Sequence, residues 1–378
     1  MTERKARNHE GTLVTYPHAS LPVTIRARVV DNGNDLQMHF LEAGEVGSPS
    51  LLLLHGFPEL AYSWRKAMVL LADAGYHVLA PDQRGYGPTA VAPAHYDDDL
   101  VPYRFLNLVR DVVGLRSAVG IESFEAVIGH DFGAMVAYYS ALARPDLFRR
   151  LILMSAPVGG APASREPPAV LAVEPALEAL VRPRKHYQFY YTTPAADRDM
   201  REAPAGIHAF LRAYSHHKSA DWPDNRPYPL QAWTAGELAK LPTYYVMDHH
   251  ETMATTVARH APPREAAWLT DDELAVYATE FARTGFQGGL NWYRVMLDPV
   301  HFDELRLYAG AAVQVPAAFI AGAADWGVHQ APGAFDRMQT TACADMRSVH
   351  LIEGAGHWVQ QERPDATVKA LQRFLETT

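Results

Sequence analysis

Cysteine is almost missing from this chain: Cys343 stands alone among 378 residues. One thiol makes no internal disulfide and no thiolate metal cluster, and the scarcity fits a reducing cytoplasm. No stretch reaches the ~18 consecutive apolar residues that a membrane-spanning helix requires. The opening Met1-Thr-Glu-Arg-Lys-Ala-Arg carries charge with no apolar segment behind it, so no signal peptide is expected. Positive charge is also in deficit. A formal net charge of −9 argues against a nucleic-acid partner, which would need a basic face. Internal repeats, low-complexity tracts and long blocks of like charge are missing too. What remains is an ordinary globular composition, 48% hydrophobic and 20% charged. The expectation is a soluble, cytoplasmic protein built as one large domain or as a core carrying a lid.

The first half alternates strand-like with helix-like segments. Leu21–Val30 and Leu36–Glu42 read as an entry hairpin around the turn-rich Asp31-Asn-Gly-Asn-Asp35. Leu51–Leu54 is a continuous apolar run of the kind found in buried parallel strands. A helix over Ala61–Ala74, closed by Gly75, leads to a strand at His77–Ala80. Helix Phe105–Val119, strand Phe124–Gly129, helix Phe132–Ala143 and strand Leu151–Met154 follow. Such alternation predicts a parallel sheet with right-handed crossovers.

After Pro157 the rhythm breaks. No strand is expected between about Gly159 and Pro299, and a loop of that length does not suit a compact domain. Ile207, Phe210, Leu211 and Tyr214 instead keep helical spacing, as do Leu274, Tyr277, Ala278 and Phe281 behind the capping box Thr270-Asp-Asp-Glu273. The segment reads as an inserted helical cap, entered through the Ala/Pro-rich Pro162–Pro168. Strand Val315–Ala321, helix Gly333–Thr341, strand Val349–Ile352 and a closing helix from Pro364 complete the chain. The expected division is a core of residues 20–158 and 299–378, a cap of residues 159–298 and an N-terminal extension of residues 1–19.

Gly129-His-Asp-Phe-Gly133 falls where a strand ends and a helix begins. This is the nucleophile-elbow pattern, with Asp131 at the position of the nucleophile. The flanking glycines suit a turn too tight for side chains, and the start of a helix favours an ionised carboxylate. Asp325 and His357 each fall just past a later predicted strand. The chain order nucleophile, acid, histidine is that of α/β-hydrolases. His55-Gly-Phe-Pro-Glu59, directly after Leu51–Leu54, can place the Phe57 N–H as an oxyanion donor beside the Phe132 N–H, and a cis Phe57–Pro58 bond would aim it inward. His55 itself reads as structural.

These motifs, with Arg84-Gly-Tyr-Gly87, Tyr187-Gln-Phe-Tyr-Tyr191 and Asn291-Trp-Tyr-Arg294, resemble the soluble epoxide hydrolase family from about the first strand to the C-terminus. The resemblance implies an α/β-hydrolase core, a mostly parallel sheet of about eight strands flanked by helices, with an inserted helical cap. It also implies that Asp131, His357 and Asp325 form a triad and that one cap tyrosine from each segment polarises the epoxide oxygen. Tyr293 matches directly and Tyr187 is the best match for the other, with Tyr190 and Tyr191 as fallbacks. Phe132 departs from the tryptophan that the family most often carries there. Trp292 and Trp358 are candidate substrate contacts.

The residues suit the chemistry. An epoxide carbon is sp³, so a serine nucleophile would end as an ether, whereas a carboxylate becomes an ester that water can cleave. A haloalkane or haloacid dehalogenase uses the same triad, but paired tyrosines favour an oxygen leaving group. A non-catalytic receptor on this scaffold is the alternative from another class. No cofactor and no metal are expected: adjacent histidines such as His216-His217 and His249-His250 point about 100° apart on a helix. Gly288-Gly-Leu290 follows a helix and makes no phosphate loop. The expected partner is a small-molecule epoxide, with a homodimer as the further association considered.

Overall fold

The computed structural model describes Tyr16, residues 21–164, Glu166 and residues 168–377. Apart from Tyr16, the expected N-terminal extension therefore lies outside the described residues. In chain order the described strands are β1 (Arg26–Asp31), β2 (Gln37–Ala43), β3 (Ser50–Leu54), β4 (His77–Pro81), β5 (Ala126–His130), β6 (Leu151–Met154), β7 (Arg184–His186), β8 (Val246–Asp248), β9 (Ala317–Gly322) and β10 (Met346–Ile352). Eight of them form one sheet in the order β1-β2-β4-β3-β5-β6-β9-β10. The β1–β2 and β2–β4 pairs are antiparallel, and every other pair in that sheet is parallel.

The inner parallel strands are largely apolar because helices cover both faces, whereas the edge strand β10 is partly exposed. Every residue of β3, β4, β5, β6 and β9 is buried. Helices Arg65–Asp73 and Pro364–Thr377 pack on each other and on β4, β9 and β10. Helices Phe105–Ala118 and Phe132–Ala143 pack together, the first against β1 and the second against β5 and β6. From β3 the chain steps outward to β4, then returns across β3 to β5 and moves the other way. That reversal opens a crevice beyond the carboxyl ends of β3 and β5, where ligands of open α/β sheets bind.

Several expected boundaries shift. Residues 21–25 make a turn, with the Ile25 N–H donating to the Pro22 carbonyl, and the first strand starts only at Arg26. The helix expected over Gly333–Thr341 divides into Ala334–Arg337 and a wider π-helical turn, Met338–Ala342. Between β6 and β9 the chain forms the predicted helices Gly206–Lys218 and Asp271–Thr284, the latter opened by the Thr270/Glu273 capping box. The expectation of no strand there is corrected by β7 and β8, which pair antiparallel. Arg184-Lys-His186 has no apolar alternation to betray a strand. Backbone pairing holds it, helped by the ion pairs of Arg182 and Arg184 with Asp248.

Candidate active site

The site is built where β3, β5, β9 and β10 release the chain. Asp131 follows β5 directly and sits at φ 53°, ψ −120°, a region that costs a non-glycine residue free energy and persists only where its surroundings enforce it. The enforcement is steric. A Cβ on Gly129 would lie 2.1 Å from the Gly133 oxygen, and one on Gly133 would lie 2.3 Å from the Leu54 oxygen. The turn therefore packs backbone against backbone and leaves the Asp131 carboxylate at the head of helix Phe132–Ala143. The Phe132 N–H is the first of that helix's amides, which have no intrahelical acceptor.

After β3 the chain turns through a cis Phe57–Pro58 bond, and the Phe57 N–H donates to Asp131 Oδ1 at 3.0 Å. The other carboxylate oxygen, Oδ2, lies 3.4 Å from His357 Nε2. On the far side of the imidazole, Nδ1 is 3.2 and 3.3 Å from the two oxygens of Asp325. Asp325 Oδ1 also accepts the Gly327 N–H at 2.7 Å, which fixes the carboxylate on its loop. Thus Asp131, His357 and Asp325 converge, although each leaves a different strand.

Electrostatics favour an ionised Asp131. Burial alone would raise its pKa, but the hydrogen bond and charge of His357, with the charges of Lys218 and His130, pull it well below the carboxylate range. Asp325 is lowered by the same balance, with burial outweighed chiefly by His357. Lys218 is buried, its ammonium 5.0 Å from the Tyr245 ring and 5.6 Å from the Trp358 ring. A cation within about 6 Å of ring faces is attracted by their quadrupoles.

Behind Asp131 lies a pair that the sequence reading passed over. His130 Nδ1 is 2.6 Å from Glu59 Oε2, and its Nε2 is 2.7 Å from the His357 carbonyl oxygen. Glu59 also accepts the Gly56 N–H and the Gln360 side-chain amide. The signal was available, since both residues lie inside the motifs that flank the nucleophile. His55 holds its loop, with Nδ1 donating to the Gly56 carbonyl and Nε2 accepting the Gln83 N–H.

A cavity of about 220 Å³ opens in front of Asp131, walled by Tyr187 and Tyr293 from the cap, Gln330 from the core, and apolar side chains that include Met135 and Met296. Burial, and then the nearby Asp131 charge, push the Tyr187 hydroxyl well above the ordinary phenol range. Burial does the same for Tyr293. The fallback residues are engaged elsewhere: the Tyr190 hydroxyl donates to Asp199, and the Tyr191 hydroxyl to Tyr214.

The two tryptophans are corrected. Neither is on the wall of that cavity. Trp292 is fully buried, its indole N–H donating to the Arg84 carbonyl at 3.0 Å and its ring edge-on to Phe132. Trp358 backs His357, ring centroids 4.7 Å apart, and donates to the Ser215 carbonyl at 2.8 Å. Each neighbours a cavity or triad residue in sequence yet stands off the cavity wall, because successive helical or turn positions face different directions. Trp358 belongs instead to a seam between cap and core. There the His357 N–H donates to the Lys218 carbonyl at 2.9 Å, and Glu362 accepts the N–H groups of Ala220, Gly356 and Trp358.

Among the described residues, no three His, Cys, Asp or Glu side chains gather closely enough to hold a metal ion, and no helix is long and apolar enough to cross a membrane. Residues 49–364 match the family model of the alpha/beta hydrolase fold. Epoxide hydrolase A of Mycobacterium tuberculosis is 37% identical over 350 residues, covering 92% of this chain and 96% of that protein. The epoxide hydrolase of Caballeronia sordidicola is 31% identical, covering 91% of this chain and 92% of the relative. Among solved structures, an epoxide hydrolase from an endophytic Streptomyces superposes with a TM-score of 0.77 at 31% identity, covering 94% of this chain and 96% of that one. Epoxide Hydrolase A from Mycobacterium thermoresistibile gives a TM-score of 0.74 at 37% identity, with 93% and 98% covered. The chain belongs to the α/β-hydrolase fold family and, within it, to the epoxide hydrolases.

Proposed function

We propose that this protein opens epoxides to vicinal diols through a covalent ester on Asp131. The observation that carries the reading is the convergence on one cavity of a carboxylate at the elbow and two tyrosine hydroxyls from separate cap segments. Asp131 Oδ1 is engaged by the Phe57 N–H, so Oδ2, with the His357 imidazole 3.4 Å away, is the oxygen that attacks a ring carbon. As that C–O bond forms, the ring C–O bond breaks, and the departing oxygen takes its proton from a tyrosine. A phenol of pKa about 10 in water is a suitable donor to a developing alkoxide.

In the second step His357, oriented by Asp325, removes a proton from water as the water oxygen attacks the ester carbonyl. Oδ1 is then the oxyanion, already beside the Phe57 N–H, with the Phe132 N–H as the proposed second donor. A donor of this kind is typically worth ~3 kcal/mol in the transition state. Collapse expels Oδ2, which takes the second proton of the attacking water to complete the diol and leaves Asp131 a carboxylate, while the proton on His357 restores the tyrosine. The sum is one epoxide and one water giving one diol.

A halide leaving group is less well served. The Trp292 indole N–H, which could cradle a halide, is committed to the Arg84 carbonyl. The partner is thus a small-molecule epoxide. A cytoplasmic setting belongs to the same reading, on the strength of one buried cysteine. So does the division into a core of residues 20–158 and 299–378 and a cap of residues 159–298, supported by the chain leaving the large sheet after β6 and rejoining it at β9. The test is a paired assay with styrene oxide and a panel of haloalkanes. Diol without halide release supports the proposal; halide release that outpaces diol formation replaces it with dehalogenation, and neither product removes both.

A further inference from the structure

The two tyrosines are held unequally. The Tyr187 hydroxyl donates to Gln330 Oε1 at 3.0 Å, while its oxygen accepts the Gln188 side-chain amide at 3.2 Å. Among the described residues Tyr293 makes no hydrogen bond to either amide. It packs edge-on against Phe132, with centroids 4.4 Å apart, and its hydroxyl reaches toward Tyr187. A phenol has one proton to give, and that of Tyr187 is already directed at a carbonyl acceptor. Gln330 belongs to the core loop that follows Asp325, whereas Tyr187 belongs to the cap, so the bond crosses the cavity mouth.

We propose that Gln330 is a positioning residue for ring opening: it holds the Tyr187 proton away from the epoxide oxygen, so Tyr293 is the principal acid. The inference rests on the epoxide-opening reading above. Tyr187 contributes only by exchanging its bond to Gln330 for one to the departing oxygen. The exchange becomes favourable late in the step, because an alkoxide is a stronger acceptor than a neutral amide. Until then the amide bond subtracts from what Tyr187 alone can contribute. Tyr293, whose competing acceptor is only another phenol, loses less. In the step itself the ring C–O bond breaks as the bond to Asp131 Oδ2 forms, and the proton moves from Tyr293 to the new hydroxyl.

The test measures single-turnover alkylation rates for Tyr187→Phe and Tyr293→Phe in three backgrounds: the parent chain, Gln330→Leu and Gln330→Glu. In the parent, Tyr293→Phe should cost roughly 3- to 10-fold more than Tyr187→Phe, the worth of one neutral hydrogen bond. Gln330→Leu removes the acceptor, and the two costs should converge to within about two-fold. Gln330→Glu supplies a charged, stronger acceptor, and the ratio should widen. A residue that merely supported the loop would lower all rates together and leave the ratio alone. An unchanged ratio in the three backgrounds, or a larger cost for Tyr187→Phe in the parent, overturns the role of Gln330 while leaving epoxide opening intact. If neither phenylalanine slows alkylation in any background, the tyrosines are packing residues and the parent reading fails with the inference.

Discussion

His130 and Glu59 form a buried ion pair directly behind the nucleophile. The geometry sets the protonation: His130 Nε2 faces the His357 carbonyl, which can only accept, so it carries a proton. Glu59 already accepts two N–H groups besides, so it is a carboxylate and Nδ1 is the donor to it. Burial would lower the His130 pKa, but the Glu59 charge and hydrogen bond outweigh it and raise the value to about 8.

A pH dependence of stability follows from that pair. A histidine raised from its ordinary 6.5 to about 8 contributes stabilisation that is complete below 6.5 and is lost as pH rises through 8. The shift corresponds to ~2 kcal/mol. Urea unfolding at pH 6 and pH 9 should show a loss of that order, and His130→Asn should flatten it. Glu59→Gln strands the imidazolium and should cost ~3–5 kcal/mol at neutral pH. An equal slope in the parent and His130→Asn would remove the pair as its source.

Isotope placement tests the nucleophile. A single turnover in H₂¹⁸O should leave the label in the Asp131 carboxylate and none at the new hydroxyl of that first diol. Peptide mass spectrometry locates it. Label entering the first diol directly would mean that water opens the ring.

In the proposed mechanism His357 and Asp131 act in different steps, so they should separate kinetically. His357→Gln should alkylate and then stall, giving a stoichiometric adduct in intact-protein mass spectrometry. Asp325→Asn should also slow hydrolysis, by favouring the wrong imidazole tautomer. Turnover at the parental rate in His357→Gln would take His357 out of the mechanism.

Gly56 is a steric test of placement. A Cβ there would lie 2.3 Å from the Asp131 Cβ and 2.5 Å from Oδ1. Displacing the nucleophile by about an ångström costs on the order of 100-fold in rate, and Gly56→Ala should show such a fall in kcat with circular dichroism still native. Retained activity would show that the loop yields.

Trp292→Phe addresses the corrected tryptophan. It removes the hydrogen bond to the Arg84 carbonyl and should lower stability by ~1 kcal/mol, because that part-buried carbonyl loses its donor. KM should barely move. A large rise in KM with unchanged stability would restore Trp292 to the substrate.

The legible part of the site was the part governed by local backbone. Gly129–Gly133 announces a tight turn from its own residues, and Asp325 and His357 follow strands whose apolar runs are plain, so all three ends could be found in chain order. The cap was legible as helices because Gly206–Lys218 and Asp271–Thr284 repeat every turn. What stayed hidden depends on long-range placement. β7 owes its existence to a partner some sixty residues away. Trp292 could not be oriented without the Arg84 carbonyl that captures it, and nothing local marks Gln330 as the neighbour of Tyr187.

The seam at Lys218–Ala220 bears on how a substrate gets in. Along it the cap is bonded to the very loop that carries His357: through the Lys218 carbonyl, through Ser215 to the Trp358 indole, and through Ala220 to Glu362. Swinging the cap away on this flank would drag the imidazole off its aspartates. Across the cavity the cap also meets the core through the hydrogen bond from Tyr187 to Gln330. Movement of the cap at that bond would break a hydrogen bond of Tyr187 and leave the contacts of the His357 loop in place.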